Sequence, residues 1–145
     1  MKDILKKKII GISGYNSFLA KSFSKKYKDK FIFKKYSKDI NDHIEFDKWV
    51  KKNNNLNYFI NFAGLIGSSS NKRNTKELFQ TNFRSAIMLA DIINSNRLNT
   101  FKYFLMLSTS HVFKKSNYKL IEKSIKQPKS GYGKSKLKLE NKILT

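Results

Sequence analysis

The sequence predicts an α/β fold: an open, doubly wound parallel sheet with helices on both faces. Three observations carry that reading. Short β-branched or aromatic runs alternate with stretches of helical period. Polar or glycine-containing segments follow the runs, at the carboxyl ends of strands where such sheets bind ligands. The last run, Phe101 to Leu107, is nearly uninterrupted in its apolar character, the pattern of a strand buried on both faces.

Taken in order, Lys8 to Ile12 is a short β-branched strand running into the turn Gly11-Ile12-Ser13-Gly14. From Ser17, apolar or small residues recur at Phe18, Leu19, Ser22, Phe23 and Tyr27, which is helical spacing. Phe31-Ile32-Phe33 is a second strand. Asp42 caps a helix carrying Ile44, Phe46, Trp49 and Val50, and Asn53-Asn54-Asn55 ends it. Tyr58-Phe59-Ile60 is a third strand, closing in Asn61-Phe62-Ala63-Gly64. Gly67 to Asn74 is a polar loop. A long helix follows, with Leu78, Phe79, Phe83, Ala86, Ile87, Ala90 and Ile93 on one side. After the strand at Phe101 to Leu107 comes a polar segment holding the only proline, Pro128. The chain ends in a helix with Tyr132, Lys136, Leu139 and Ile143. No internal repeat and no linker marks a second domain.

Composition bounds the function. The 145 residues suffice for one core, and 39% hydrophobic with 14% aromatic residues excludes wholesale disorder. The absence of cysteine removes disulfides, thiol nucleophiles and thiolate metal sites. Two histidines, His43 and His111, argue against a histidine-rich metal centre; both are expected at the surface or in packing, and no metal is expected. No apolar run reaches the ~20 residues of a membrane helix. Lys2, Lys6, Lys7 and Lys8 precede an apolar stretch too short for a signal peptide. A soluble, reducing, cytoplasmic setting is expected, without a membrane partner. The formal net charge of +21 points towards nucleic acid. However, of 31 basic residues only Arg73, Arg84 and Arg97 are arginines, whose forked geometry such surfaces favour. The lysines are spread along the whole chain, and Asn and Ile are also frequent. The charge therefore reads as compositional drift towards A/T-rich codons, and no specific nucleic-acid partner is expected.

Three segments could carry chemistry. Gly11, Ser13, Gly14, Tyr15, Asn16 and Ser17 join the first strand to the first helix, where a tight turn at a helix N-terminus meets a pyrophosphate. The same residues also suit an ordinary strand-to-helix turn. Tyr132 and Lys136 are four apart and share one helical face. A nearby ammonium favours the phenolate of a tyrosine and makes it a usable acid/base at a carbinol or carbonyl oxygen. A solvated face of a lysine-rich helix places them alike. Ser108, Thr109 and Ser110, at the end of the last strand, either hydrogen-bond a substrate oxygen or cap the strand.

Together, the order and spacing of these segments resemble the extended short-chain dehydrogenase/reductase family. They are similar in particular to the dTDP-4-dehydrorhamnose reductases and the wider NAD-dependent sugar-nucleotide epimerase/dehydratase group. The resemblance runs from about Ile9 to Glu140. Gly11 and Gly14 match the family's glycine turn, with Ser17 in place of its third glycine. Asp39-Ile40-Asn41-Asp42 resembles an Asp-Ile pair that contacts adenine. Asn61-Phe62-Ala63-Gly64 resembles the motif beside the nicotinamide ribose, and Asn82 a helix asparagine of the family. Ser108-Thr109-Ser110-His111-Val112-Phe113 is similar to a Ser-Thr-Asp-Tyr-Val-Phe motif, departing from it at Ser110 and His111. Glu122, Pro128 and Tyr132-Gly133-Lys134-Ser135-Lys136 through Glu140 form the most specific match.

The resemblance implies a Rossmann-like NAD(P)-binding domain over residues 1–145 and a role in the sugar-nucleotide chemistry of polysaccharide biosynthesis. In it, Tyr132 exchanges a proton with the substrate oxygen, Lys136 assists it and holds the nicotinamide ribose, and Thr109, with Ser108 in reserve, orients the carbonyl. The hydride chemistry belongs to the cofactor. The cofactor set is Gly11, Ser13, Gly14, Tyr15, Asn16, Ser17, Lys34, Asp39, Ile40, Asn61, Ala63, Gly64, Asn82 and Lys136. NADP is expected before NAD, because Lys34 and Lys35 follow the second strand and no ribose-binding acid ends it. Family members are longer, so the chain is expected to be cut after the Tyr/Lys helix, without the carboxyl-terminal substrate-binding region. A reductase acting on a nucleotide sugar, an epimerase/dehydratase, and a non-catalytic cofactor-binding module all satisfy that pattern. A second copy or a complementing chain is the expected protein partner.

Overall fold

A computed structural model of the chain describes residues 7–66 and 74–143. Lys2, Lys6 and residues 67–73 of the expected polar loop lie outside the described residues, as does Thr145. The chain divides into two compact units: Met1–Ala63 with Leu89–Met106, and Gly64–Met88 with Leu107–Thr145.

The first unit holds a four-stranded parallel sheet of order β2-β1-β3-β4, with β1 Lys8–Ser13, β2 Phe31–Lys35, β3 Tyr58–Asn61 and β4 Tyr103–Met106. Period-2 alternation gives the sheet two apolar faces. On one, Ile9 and Phe59 pack with Tyr36, with Phe46 and Val50 of α2 (His43–Lys52), and with Leu89 and Ile93 of α4 (Ala86–Ser95). On the other, Ile10, Ile12 and Ile60 pack with Ala20 and Phe23 of α1 (Phe18–Tyr27). Helices cover both faces, as a doubly wound sheet requires. The Asp42 cap is as expected, its carboxylate accepting from Glu45 N at 3.0 Å, and Asn53 ends α2.

Several elements differ from expectation. Strand β2 runs on through Lys34 and Lys35, so these lysines are its last residues and not its sequel. The inward stripe of α1 is Ala20, Phe23, Ser24 and Tyr27, and Phe18 is 81% exposed, with Leu19 also outside. The small Ala20 is what lies against the sheet, which turns the helix away from the expected face. Ile44 likewise faces solvent.

The long helix after the third strand is composite: α3 (Thr75–Phe79), a π-helical turn at Gln80–Ser85, then α4. The Ser85 hydroxyl donates to Gln80 O at 3.0 Å, five residues back. The wider turn rotates the buried stripe to Leu78, Thr81, Asn82, Ser85, Ala86, Leu89 and Ile93, leaving Phe79, Phe83, Ile87 and Ala90 half-buried.

Strand β4 corrects the expectation of two-sided burial. It is an edge strand, hydrogen-bonded to β3 alone among the described residues, with Tyr103 64% and Leu105 48% exposed. Only alternate residues reach the core, where Phe104 stacks on Phe59 at 5.5 Å between ring centroids. No helix among the described residues is long and apolar enough to cross a membrane.

Gly14 is the tightest point of the first unit. Its φ is +63°, and a Cβ there would run into the backbone of Phe62 and Ala63. Gly14→Ala should therefore lower stability by about 2 kcal/mol or more, read from the urea midpoint at unchanged slope. A loss within about 0.5 kcal/mol would mean that this contact gives way.

Candidate functional site

In the first unit the expected residues gather at the carboxyl ends of β1 and β3. Ser13 Oγ donates to Asn61 Oδ1 at 2.5 Å, and the same oxygen accepts from Ala63 N at 3.0 Å. Gly11 lies beneath the rings of Phe59 and Trp49, so its glycine answers to core packing. Ser17 N donates to Gly14 O at 3.0 Å, and Ser17 Oγ caps α1 by accepting from Ala20 N at 3.2 Å. Asn16 is exposed, and Lys35 Nζ stands 3.7 Å from the centre of the Tyr15 ring. The first turn of α1 has no acidic residue. An acid-free helix start behind a glycine turn, with Lys34 and Lys35 ending the neighbouring strand, is a donor set that fits a dinucleotide's phosphates.

The segment after β2 is organised by Tyr36, which sequence reasoning passed over. Its hydroxyl donates to Asp39 O at 3.0 Å and Asp42 O at 3.3 Å, and its ring fills the core beside Phe46. Burial, helped by the nearby charges of Asp42, Glu45 and Asp39, pushes its phenol up to about 12. Ile40 is buried in the same core, and Asp39 Oδ1 accepts from Asn41 N at 2.9 Å and Asn41 Nδ2 at 2.8 Å. A lone aromatic after a short strand carries no signal for such a bracket.

The second unit gathers the other expected residues around α5 (Gly131–Ile143). Asn82, in the π turn, grips the backbone of Leu65: its Oδ1 accepts from Leu65 N and its Nδ2 donates to Leu65 O, both at 2.8 Å. Its Nδ2 also reaches Ser135 Oγ at 3.4 Å, and Ser135 in turn donates to Tyr132 O at 2.7 Å. A Cβ on Gly64 would lie 3.0 Å from Asn82 Oδ1 and 3.6 Å from Lys136 Nζ. Gly64, Asn82, Ser135 and Lys136 thus converge.

Lys136 is only 7% exposed and its Nζ donates to Leu107 O at 2.9 Å. Burial without an acidic partner holds this ammonium below the ordinary lysine range. Tyr132, half-buried one turn earlier, sets its ring edge-on to His111 at 5.8 Å. Gly133 lets α5 press against the backbone of the 3-10 turn Ser110–Val112, because a Cβ there would strike His111 O. Thr109 Oγ1 accepts from His111 N at 3.3 Å. Ser108 Oγ donates to Glu140 Oε1, whose other oxygen takes Lys126 Nζ at 2.7 Å. Burial raises the Glu140 carboxyl, but the hydrogen bonds from Lys126 and Ser108 outweigh it and hold it below its usual range. The Glu140 ties span residues too distant in sequence to be read there.

Comparison with known proteins follows from this geometry. The profile of the NAD dependent epimerase/dehydratase family matches residues 8–144. No curated protein sequence is significantly similar. Among solved structures, a Helicobacter pylori ADP-L-glycero-D-manno-heptose-6-epimerase superposes with a TM-score of 0.81 at 17% identity, covering 99% of this chain and 52% of that one. A dTDP-4-dehydrorhamnose reductase from Clostridium acetobutylicum gives 0.80 at 24% identity, with coverages of 94% and 49%. Another from Bacillus anthracis, in complex with NADP, gives 0.81 at 17% identity, with coverages of 96% and 50%. At these identities the likeness is one of fold, and the chain spans about half the length of those proteins.

The buried Lys136 has a pH signature. From its lowered folded value up to the ordinary 10.5, the unfolded chain holds the proton that the folded chain has released, so stability rises with pH across that window. Lys136→Met removes this contribution. The stability of the unaltered chain minus that of the variant, from urea unfolding at a series of alkaline pH values, should climb towards pH 10.5; a flat difference would show Nζ to be solvated.

Proposed function

The chain belongs to the NAD dependent epimerase/dehydratase family, and from that premise we propose that it works as a nicotinamide-dependent oxidoreductase on a nucleotide-linked sugar, of the dTDP-4-dehydrorhamnose reductase kind. The observation that carries the proposal is the pairing of half-buried Tyr132 with buried Lys136 on successive turns of α5. When bound, the nicotinamide supplies the hydride exchange. The chain's own residues manage the proton. The Tyr132 hydroxyl gives it to, or takes it from, the sugar oxygen. The Lys136 ammonium, fixed by Leu107 O, keeps two N–H groups for a ribose hydroxyl and the reacting side. Thr109, at the head of the 3-10 turn, offers its hydroxyl to the sugar oxygen. The glycine turn and Asn61 segment of the first unit hold the dinucleotide, with Lys34 and Lys35 receiving the 2′-phosphate of NADP. The same residues serve a sugar-nucleotide epimerase or dehydratase.

Titration of the chain into NADPH and NADH, followed by nicotinamide fluorescence, tests the reading. Saturable binding is expected; no binding of either by the folded chain overturns it. The double variant Lys34→Ala/Lys35→Ala should weaken NADPH about tenfold and NADH much less. Tyr132→Phe should keep cofactor affinity within about twofold while lowering any sugar-nucleotide turnover by a hundredfold or more.

A further inference from the structure

A cavity of about 350 Å³ in the second unit is lined by Lys114, Lys115 and Lys129, together with Ser110, His111 and Phe113. We propose that it is a phosphoryl-anion pocket that holds the diphosphate of the nucleotide-linked substrate, an assignment that rests on the reading above. None of the lining residues is acidic. Three ammonium groups around one hollow repel each other, and a multiply charged anion is the ligand that relieves the repulsion. The nearby carboxylate does not fill that role, since Glu140 is taken by Lys126 and Ser108. The wall is also fixed: Lys114 N donates to Ile125 O at 2.8 Å, closing the segment on itself just before the Lys126–Glu140 tie.

The position of the hollow gives the anion a purpose. His111 lines it and also meets the ring of Tyr132 at 5.8 Å, and Ser110 directly follows Thr109. A phosphoryl group held by the lysines therefore sits on the side of the proton-handling residues, and a sugar attached to it is delivered there. Phe113 adds an apolar wall for a ring. The lysines thus act as substrate-positioning residues.

Calorimetric titration of uridine diphosphate, inorganic pyrophosphate and uridine at about 0.15 M salt tests this. The comparison sets Lys114→Gln/Lys115→Gln/Lys129→Gln against Lys25→Gln/Lys26→Gln/Lys28→Gln, which removes equal charge from exposed positions in and just after α1. The pocket variant should bind both diphosphates at least about tenfold more weakly, the matched variant should stay within about twofold of the unaltered chain, and uridine alone should bind poorly. Equal losses in both variants would reduce the effect to diffuse charge, and no diphosphate binding by the unaltered chain would also overturn the pocket. Single Lys129→Gln, with its smaller structural change, should show the same direction. The reading of cofactor use fails separately: absent NADPH binding would remove it while the diphosphate comparison still decides the pocket.

Discussion

Where the strands of a parallel sheet begin and end, backbone N–H and C=O groups leave the ladder while still inside the protein, and each one left unpaired costs ~1–3 kcal/mol. Here buried asparagines meet that demand. Asn57 accepts from Ile9 N at 2.8 Å and donates to Thr100 O at 3.1 Å, bracketing the sheet's start. Asn61 gathers Ser13 and Ala63 at the other end. Asn82 pairs both polar groups of Leu65. A carboxamide has a donor and an acceptor on one planar head, so it replaces a neighbouring strand's peptide group where no strand is present. The candidate chemistry hangs on these brackets: the turn at Gly14 on that of Asn61, and the setting of Lys136 on that of Asn82.

Sequence alone showed what local periodicity and caps encode. The alternation of apolar runs with helical stretches gave four strands and the helices between them, and Asp42 marked a helix start through its own side chain. The four-residue spacing of Tyr132 and Lys136 placed them on one helical face, as α5 does. What escaped depends on partners. Burial of Phe101 to Leu107 is set by strand order, and an apolar run in an edge strand reads like one in the middle. The π turn needs one residue more than an α-helix uses, a choice settled by what Asn82 and Ser85 bond to. Lys136 meets a backbone carbonyl, a group every residue has and no sequence flags. Tyr36 and Glu140 act through bonds to backbone or to distant hydroxyls, which leaves no pattern either.

Family membership and local geometry support each other at different resolutions. The profile match covers nearly the whole chain, while the solved relatives are about twice as long. Glycine at 133 and serine at 135 illustrate why the Tyr-Gly-x-Ser-Lys spacing has physical content. The first removes a side chain that would strike His111 O, and the second satisfies Tyr132 O from within the helix. Both set the helix that presents the tyrosine without being able to move a proton at the sugar themselves.

The exposed edge at β4 has a colloidal consequence. Tyr103 and Leu105 stand beside a row of strand polar groups, the kind of surface on which a second chain can add a strand. Each copy carries a formal charge of +21, so two copies approaching edge to edge repel over long distances in dilute buffer. Added salt shortens that repulsion to a Debye length of about 8 Å at physiological strength and leaves the apolar attraction untouched. The lysines scattered along this sequence thus act as a kinetic guard on its own sheet, strongest at low ionic strength, whatever else they bind.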